Sequence, residues 1–137
     1  ILDLYAGTGS FGLECLSREA DSVFFVEKSK NAVLILEKNI EKLKLQNNTK
    51  IFLNDVFSLI DKENIFQKQF DLIFCDPPFK NKNIKNLIEL INSKKLSKEN
   101  GIIILHREKN KKDDFPEYFK ILEEKIYGVS KIIFGKI

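Results

Sequence analysis

The sequence predicts an α/β fold in which a doubly wound, Rossmann-like and mostly parallel sheet of seven strands ends in an antiparallel hairpin. Short apolar runs alternate with helical patterns from the start of the chain to about residue 105, an order typical of parallel sheets. Two β-prone runs then follow, separated by Tyr127-Gly128, which is a hairpin signal. With 137 residues, 43% of them hydrophobic, the chain can bury one core, so we expect one domain over residues 1–137.

The predicted strands are apolar runs that are bounded by polar or turn residues. The run at 22–27 is continuously apolar between its ends, as expected of a strand that is covered on both faces. Strands are expected at 1–4, 22–27, 50–53, 70–75, 101–105, 119–125 and 129–134.

Helical spacing of apolar residues fills the intervals between these strands. Helices are expected after the glycine turn that follows the first strand, over 28–45, from residue 56 to 60 and over 84–91. The inner faces would carry Leu13, Leu16 and Ala20 in the first helix, Ala32, Leu36, Asn39, Ile40 and Leu43 in the second, and Ile84, Leu87, Ile88 and Ile91 in the fourth. The charged stretch 107–114 is predicted to be a solvated loop.

A glycine-rich turn with the pattern Gly7-x-Gly9-x-x-Gly12 connects the first strand to the first helix. Gly7 and Gly9 allow a sharp bend and the close approach of a ligand to the backbone. The start of the helix also offers free N–H groups to polar or anionic ligand atoms. The spacing matches the dinucleotide fingerprint, and Glu27 ends the next strand, where a ribose-binding carboxylate is expected. The turn therefore predicts a nucleotide-type cofactor, with NAD as one candidate.

Two acidic positions favour a different cofactor. Asp3 lies four residues before the first glycine, and Asp76-Pro77-Pro78-Phe79 follows the fourth strand. A dehydrogenase requires neither of them. The run 3–9, Asp-Leu-Tyr-Ala-Gly-Thr-Gly, resembles the first motif of class I S-adenosylmethionine (SAM) methyltransferases. In that class the acidic residue lies close to the methionine moiety, so the resemblance implies this role for Asp3.

The motif Asp76-Pro77-Pro78-Phe79 is suited to holding an amine. Two successive prolines fix φ twice and remove two N–H donors, which makes the turn stiff. The Asp76 carboxylate and the Pro77 carbonyl would accept both hydrogens of a nucleobase amine, and Phe79 offers a face on which the base can stack. Holding both hydrogens directs the nitrogen lone pair at the methyl group of the cofactor. The alternative interpretation is a rigid loop without chemistry.

Further cofactor contacts are expected where strands end. Glu27 would accept both ribose hydroxyls, or else it is a solvated strand-end acid. Asp55 would bind the exocyclic amine of adenine or cap the following helix, and the two roles can coexist. Val56 would present a backbone N–H and apolar surface to the same ring. The predicted cofactor set is Asp3, Ala6, Gly7, Thr8, Gly9, Glu27, Lys28, Asp55, Val56 and Asp76.

Charge and cysteine content limit the partners. The formal net charge is +3 and nearly all basic residues are lysines, so Lys80, Lys82 and Lys85 are either an RNA phosphate-binding cluster or ordinary solvated lysines. Cys15 and Cys75 are expected to be small buried hydrophobes, and the single histidine makes a metal site unexpected. No signal peptide or membrane-spanning run is visible, which favours the cytoplasm.

Over its whole length the chain resembles the RsmD family, whose members methylate a guanine N2 amine in bacterial small-subunit (16S) ribosomal RNA. The likeness includes the glycine turn, Val26-Glu27-Lys28, Asp76-Pro77-Pro78-Phe79 and the closing run 124–131. It implies SAM as cofactor, S-adenosylhomocysteine (SAH) as product, and 16S rRNA or a small-subunit assembly particle as partner. It also implies that Asp76, Pro77 and Phe79 hold the guanine, and we expect a monomer.

The chain departs from that family in two places. The family's N-terminal segment, which carries basic residues for RNA, is missing, so we expect an N-terminally truncated methyltransferase domain. His106 stands at a strand end where an acidic residue is expected, and no role is assigned to it.

Three alternatives stay open beside the rRNA methyltransferase. A DNA adenine-N6 or cytosine-N4 amino-methyltransferase uses a similar Asp-Pro-Pro-aromatic motif, although this length leaves no room for a target-recognition domain. A catalytically silent RNA-binding module with the same fold would have no need of the rigid double acceptor at Asp76. An NAD-binding module would need neither Asp3 nor the double proline.

Overall fold

The computed structural model describes residues 1–78 and 83–137. Within these residues, seven strands form one sheet with the order β3-β2-β1-β4-β5-β7-β6. The strands are β1 (Leu2–Leu4), β2 (Val23–Glu27), β3 (Thr49–Leu53), β4 (Phe70–Cys75), β5 (Ser97–Glu108), β6 (Lys120–Tyr127) and β7 (Ser130–Lys136), and the helices are α1 (Ser10–Ser17), α2 (Lys30–Leu43), α3 (Val56–Ile60) and α4 (Ile84–Ser93). Strands β1 to β5 pair in parallel, and β7 runs antiparallel to β5 and β6. The predicted fold class is confirmed.

Apolar side chains cover the central strands on both faces of the sheet. One core cluster joins β1, β4 and β5 to α3 and α4, and includes Leu4, Ile73 and Leu105. A second cluster packs Phe25 of β2 against Leu36 of α2, with half-buried residues of α1 around them. These two clusters fix the positions of the strand ends, which carry the polar residues discussed below.

Helix α4 has the predicted inner face, and helix α1 is shorter than predicted. Ile84, Leu87, Ile88 and Ile91 are all buried against the sheet, as their spacing indicates. Helix α1 ends at Ser17, so Ala20, a predicted inner-face residue of this helix, lies beyond it.

Helix α2 begins later than predicted, and it buries part of the predicted inner face. It starts at Lys30 rather than at residue 28 because Ser29 is its N-cap, with Oγ accepting from the Ala32 N–H at 3.3 Å. It ends at Leu43 because Lys44 adopts a left-handed conformation with φ 58°. The buried residues of the helix are Val33, Leu36 and Ile40. The prediction is confirmed at Leu36 and Ile40, and it is wrong at Leu43, which is 54% exposed. Ala32 and Asn39 are half-buried.

Strand β5 is longer than its apolar run, and it extends into the stretch that was predicted to be solvated. Arg107 and Glu108 pair with Lys131 and Ser130 of β7. The prediction of a solvated loop is wrong at Arg107, which is fully buried. Its Nε and Nη2 donate to the two carboxylate oxygens of Asp113 at 2.9 and 2.8 Å. The bidentate pairing is what allows both charges to lie in the interior.

The carboxyl ends of the five parallel strands meet at one edge of the sheet, which we call the carboxyl edge. A polar or aromatic residue directly follows each of the first four strands, and another follows the apolar part of β5, which ends at Leu105. These residues are Tyr5, Lys28, Asn54, Asp76 and His106. Ligands of open α/β sheets bind beyond this edge. Across residues 1–78 and 83–137, no helix has the length and apolarity needed to cross a membrane.

Candidate functional site

The glycine turn is held in place by carboxylates of two neighbouring strands. Gly7 has φ 56° and Gly9 has φ 88°, conformations that favour glycine. Glu27 accepts a hydrogen bond from the Gly7 N–H at 2.9 Å with Oε2 and from the Ser29 N–H at 2.7 Å with Oε1. Asp3 accepts from the Gly12 N–H with Oδ2 at 3.1 Å. Both acids therefore anchor the backbone of the turn.

Gly9 has a packing constraint that the sequence did not reveal. A Cβ built on Gly9 would overlap Leu36 Cδ1 of helix α2, whereas one on Gly7 would meet no atom of the described residues within 4 Å. The close approach at Gly9 is thus between the turn and α2. Gly7 is the glycine of this turn that faces open space, and it is the one that can let a ligand approach the backbone.

Asp3 lies beneath the turn rather than in the wall of an open cavity. Asp3 is 1% exposed, and its Oδ1 is buried with no hydrogen-bond partner among residues 1–78 and 83–137. Burial raises the pKa of Asp3 to about 7, and the Gly12 N–H, which favours the ionised form, opposes part of this effect. A donor group of a ligand, or an ordered water, could form the hydrogen bond that this buried oxygen lacks.

A cleft of about 410 Å³ opens at the carboxyl edge. This volume lies in the range of small-molecule sites, about 300–1,000 Å³. It is lined by Tyr5, Val26, Glu27, Lys28, Asn54, Asp55, Val56, Asp76, Pro77, Pro78 and His106. The structure thus brings together seven of the predicted residues from β2, β3 and β4.

Other predicted cofactor residues do not line this cleft. They are Asp3, Ala6, Gly7, Thr8 and Gly9. Ala6 and Thr8 serve the turn through their backbones, since the Ala6 carbonyl accepts from the Gly9 N–H and the Thr8 carbonyl accepts from Asn39 Nδ2.

Asp55 has the dual position that the sequence allowed. It is the N-cap of α3, because Oδ1 accepts from the Ser58 N–H at 3.1 Å. It also lines the cleft, with Val56 as the first residue of the helix beside it. The cap fixes the carboxylate and leaves the remaining acceptor capacity of the group to a ligand.

Asp76 and His106 form a pair inside the cleft that the sequence did not reveal. Asp76 Oδ1 and His106 Nδ1 are 2.8 Å apart, and the two side chains are 42% and 26% exposed. Pro77 beside them is buried. The position of His106 in the sequence could have indicated a site residue, because His106, like Asp76, is a polar residue that directly follows the apolar residues of a strand.

Cys75 is the buried small hydrophobe that the sequence predicts. It is fully buried, and burial raises the pKa of its thiol well above the usual range. Cys15 is half-buried in helix α1. Neither sulfur lines the cleft.

The predicted lysine cluster is only partly described. Phe79, Lys80 and Lys82 lie outside the described residues. Lys85 donates from Nζ to Asp114 Oδ2 at 3.0 Å in an exposed pair, and this contact raises the pKa of the lysine. Among residues 1–78 and 83–137, no group of three or more His, Cys, Asp or Glu side chains is arranged to hold a metal ion.

The fold and the cleft together define an α/β fold of methyltransferase type. The solved structure of HI0767 from Haemophilus influenzae, which carries the provisional description of a methylase, matches with a TM-score of 0.85 and 32% identity over 98% of this chain and 83% of that one. SMU.776, provisionally described as a methyltransferase and solved in complex with SAH, matches with a TM-score of 0.81 over 99% of this chain and 44% of that one. At 18% identity, the second likeness shows the fold alone.

The sequence also matches a defined family. The family model described as "Conserved hypothetical protein 95" covers residues 1–136, and the chain belongs to this family. Ribosomal RNA small subunit methyltransferase D of Haemophilus influenzae is 35% identical over 128 residues, which are 93% of this chain. The chain spans 66% of the length of that relative. The family resemblance seen in the sequence is confirmed.

Proposed function

We propose that this chain is the catalytic domain of a SAM-dependent rRNA methyltransferase that transfers a methyl group to the N2 amine of a guanine in small-subunit (16S) rRNA. The observation that carries the proposal is the cleft at the carboxyl edge, which is lined both by Glu27 and Asp55 and by Asp76 and Pro77. The carboxylates of Glu27 and Asp55 suit a nucleoside cofactor, and Asp76 and Pro77 suit an amine. The name of the Haemophilus influenzae relative supports rRNA as the substrate class.

The residues present fit SAM. Each Glu27 oxygen accepts one backbone N–H, and a carboxylate has about four lone-pair sites, so acceptor capacity is left for ribose hydroxyls. Asp55, with Oδ1 committed to the Ser58 N–H, has capacity for the adenine amine. The unpartnered Oδ1 of Asp3 lies under the glycine turn, where the ammonium of the methionine moiety or a water bound to it would satisfy it.

When bound, SAM supplies an electrophilic methyl group on a sulfonium. The chain's own contribution is to hold the acceptor amine in line with that group. Asp76 and the Pro77 carbonyl would accept its two hydrogens, which weakens delocalisation of the nitrogen lone pair into the ring. Phe79 would stack on the base. These contacts would accelerate the transfer by preorganised electrostatics, and the reaction needs no covalent intermediate with the protein.

The position of Cys75 supports an amine as the acceptor. Methylation at a pyrimidine C5 requires a thiolate nucleophile. Cys75 precedes Asp76 directly, yet it is fully buried and its raised pKa keeps it a thiol. The cleft therefore offers hydrogen-bond acceptors and lacks an accessible cysteine among its lining residues.

Residues 1–137 would act as one domain and as a monomer, in the cytoplasm with the ribosomal particles. Lys80, Lys82 and Lys85 follow the amine-holding motif in the sequence and would contact the phosphates of the bound RNA.

The proposal is tested by cofactor binding and substrate class together. Calorimetry should detect binding of SAH and none of NAD, and Glu27→Gln should weaken SAH because an amide cannot accept from two hydroxyls with both atoms. With methyl-labelled SAM, label should enter 16S rRNA or small-subunit particles and stay absent from duplex DNA. NAD binding without SAH binding, or label in DNA alone, would overturn the proposal.

A further inference from the structure

His106 is the single histidine of the chain, and its backbone lies in the long strand β5. It is paired with Ile132 of β7, and it directly follows Leu105, which is paired with Cys75 of β4. A residue that is paired in one ladder and adjoins the end of another has little freedom to shift. The imidazole therefore projects from a rigid point of the sheet.

The side chains of neighbouring residues show which face His106 uses. Cys75 and Leu105 are fully buried, and successive side chains of a strand point to opposite faces. Asp76 and His106, one residue further along each strand, both line the cleft. The parallel register of β4 and β5 thus places the carboxylate and the imidazole side by side at the carboxyl edge.

Asp76 has a fixed backbone, since its N–H donates to the Leu4 carbonyl at 3.3 Å, but the orientation of its carboxylate is set by the contacts of the side chain. It follows the last residue of β4, and its side chain is 42% exposed. Among the described side chains, its hydrogen-bond partner is His106, at 2.8 Å between Oδ1 and Nδ1. A carboxylate accepts only, so the proton of this bond is on His106 Nδ1. The bond fixes one oxygen of a carboxylate that would otherwise be free to rotate.

We propose that His106 is a positioning residue for methyl transfer: it holds Asp76 Oδ1, so that Oδ2 meets the hydrogen of the acceptor amine. This role rests on the proposed function and goes beyond it, because it assigns the orientation of the Asp76 carboxylate to a named donor. His106 acts through Asp76 and does not itself need to touch the base. Among residues 1–78 and 83–137, the other charged groups that line the cleft or act on Asp76 are Asp3 of β1, Glu27 and Lys28 at the end of β2, and Asp55 before α3.

The kinetic test measures single-turnover methyl transfer with saturating RNA and SAM. His106→Ala should lower the rate about 10- to 100-fold, the cost of a misplaced catalytic group, without changing SAH affinity. His106→Asn should restore most of the rate, because its amide N–H can replace the Nδ1–H. Glu108→Gln, two residues further on the same strand and exposed, is the matched control and should leave the rate unchanged.

A double-mutant comparison with Asp76→Ala distinguishes a positioning role of His106 from a general effect on the structure. In an Asp76→Ala background, adding His106→Ala should cause no further loss, since the two residues act as one unit. Loss of rate that is equal in His106→Ala and His106→Asn would overturn the inference. So would a wild-type rate in His106→Ala, or a further loss in the Asp76→Ala background.

A spectroscopic measurement tests the contact without any turnover. Because the chain has one histidine, its imidazole nitrogens give an unambiguous ¹⁵N NMR signal set. At a pH where the ring is neutral, the proton should be on Nδ1, and Asp76→Ala should shift the population toward the Nε2–H form. A predominantly Nε2–H ring that does not respond to Asp76→Ala would overturn the inference. A wild-type protein that binds SAH but methylates no RNA would instead overturn the proposed function, and the positioning role with it.

Discussion

Replacing Asp3 by asparagine should remove a pH dependence of folding stability that this one buried acid creates. The ordinary pKa of 3.8 is raised to about 7 in the folded protein, mainly by burial. Between these two values the folded state holds a proton that the unfolded state has already lost. The free energy of unfolding therefore falls as the pH rises from about 4 to about 7, and it is level above that.

The size of the effect follows from the position of the folded-state pKa. At pH 5.5 the carboxyl is about 1.5 pH units below it, which at about 1.36 kcal/mol per unit gives a contribution of about 2 kcal/mol. At pH 8 the contribution is close to zero. An asparagine accepts from the Gly12 N–H with its amide oxygen and carries no charge at either pH.

Urea unfolding at pH 5.5 and pH 8 measures the effect. The stability of the wild type relative to Asp3→Asn should drop by about 2 kcal/mol between the two pH values. Asp71→Asn is the control: Lys98 lowers the pKa of this exposed acid, so its contribution is lost only in stronger acid and should not differ between pH 5.5 and pH 8. An identical pH dependence in the wild type and Asp3→Asn would refute the reasoning.

Three further substitutions test other contacts. Gly9→Ala should destabilise the fold by about 1–3 kcal/mol, because its Cβ overlaps Leu36 and its φ of 88° strains any side chain, and a wild-type unfolding midpoint would contradict this. Asp76→Ala should slow single-turnover transfer on the order of 10²-fold while SAH affinity is kept, so an unchanged rate would exclude the double acceptor. Asp113→Ala removes the bidentate carboxylate partner of a buried guanidinium and should cost about 3–5 kcal/mol in urea unfolding. The exposed neighbour Asp114→Ala should have no measurable effect, and equal losses in the two variants would show that the buried pair is unimportant.

Local patterns were sufficient for those elements whose burial follows directly from their own residues. Strand β4 spans the predicted residues 70–75, and α4 buries all four residues of its predicted apolar face. In both cases the periodicity that indicates the element also describes the surface that it buries. The start of α2 was harder to predict because it depends on a single capping residue, Ser29.

Features that depend on a distant partner could not be predicted. The polar first residues of β5 read as loop, yet Ser97 pairs with Phe70 of β4. Arg107 has the sequence context of a solvated charge, yet it is buried with a bidentate contact to Asp113, which offsets part of the cost of burial. A sequence shows which residues are charged, but the cost of burying a charge is set by its neighbours in space.

The same division applies to the candidate site. Glu27, Asp55 and Asp76 could be grouped from sequence, because each follows or ends a predicted parallel strand and such ends share one edge. Their detailed hydrogen bonds, and the role of His106 beside Asp76, depend on the register between β4 and β5. The packing of Gly9 against Leu36 could not be predicted, because the sequence does not show that these two residues meet.

The most direct test of the proposed function is the identity of the methylated atom. The protein is incubated with trideuteromethyl-labelled SAM and unmodified small-subunit rRNA, either free or in particles, and the RNA is digested to nucleosides for mass spectrometry. The account predicts label in N2-methylguanosine, and loss of that label with Asp76→Ala. Label in N6-methyladenosine, N4-methylcytidine or a C5-methylated pyrimidine, with none in N2-methylguanosine, would contradict it.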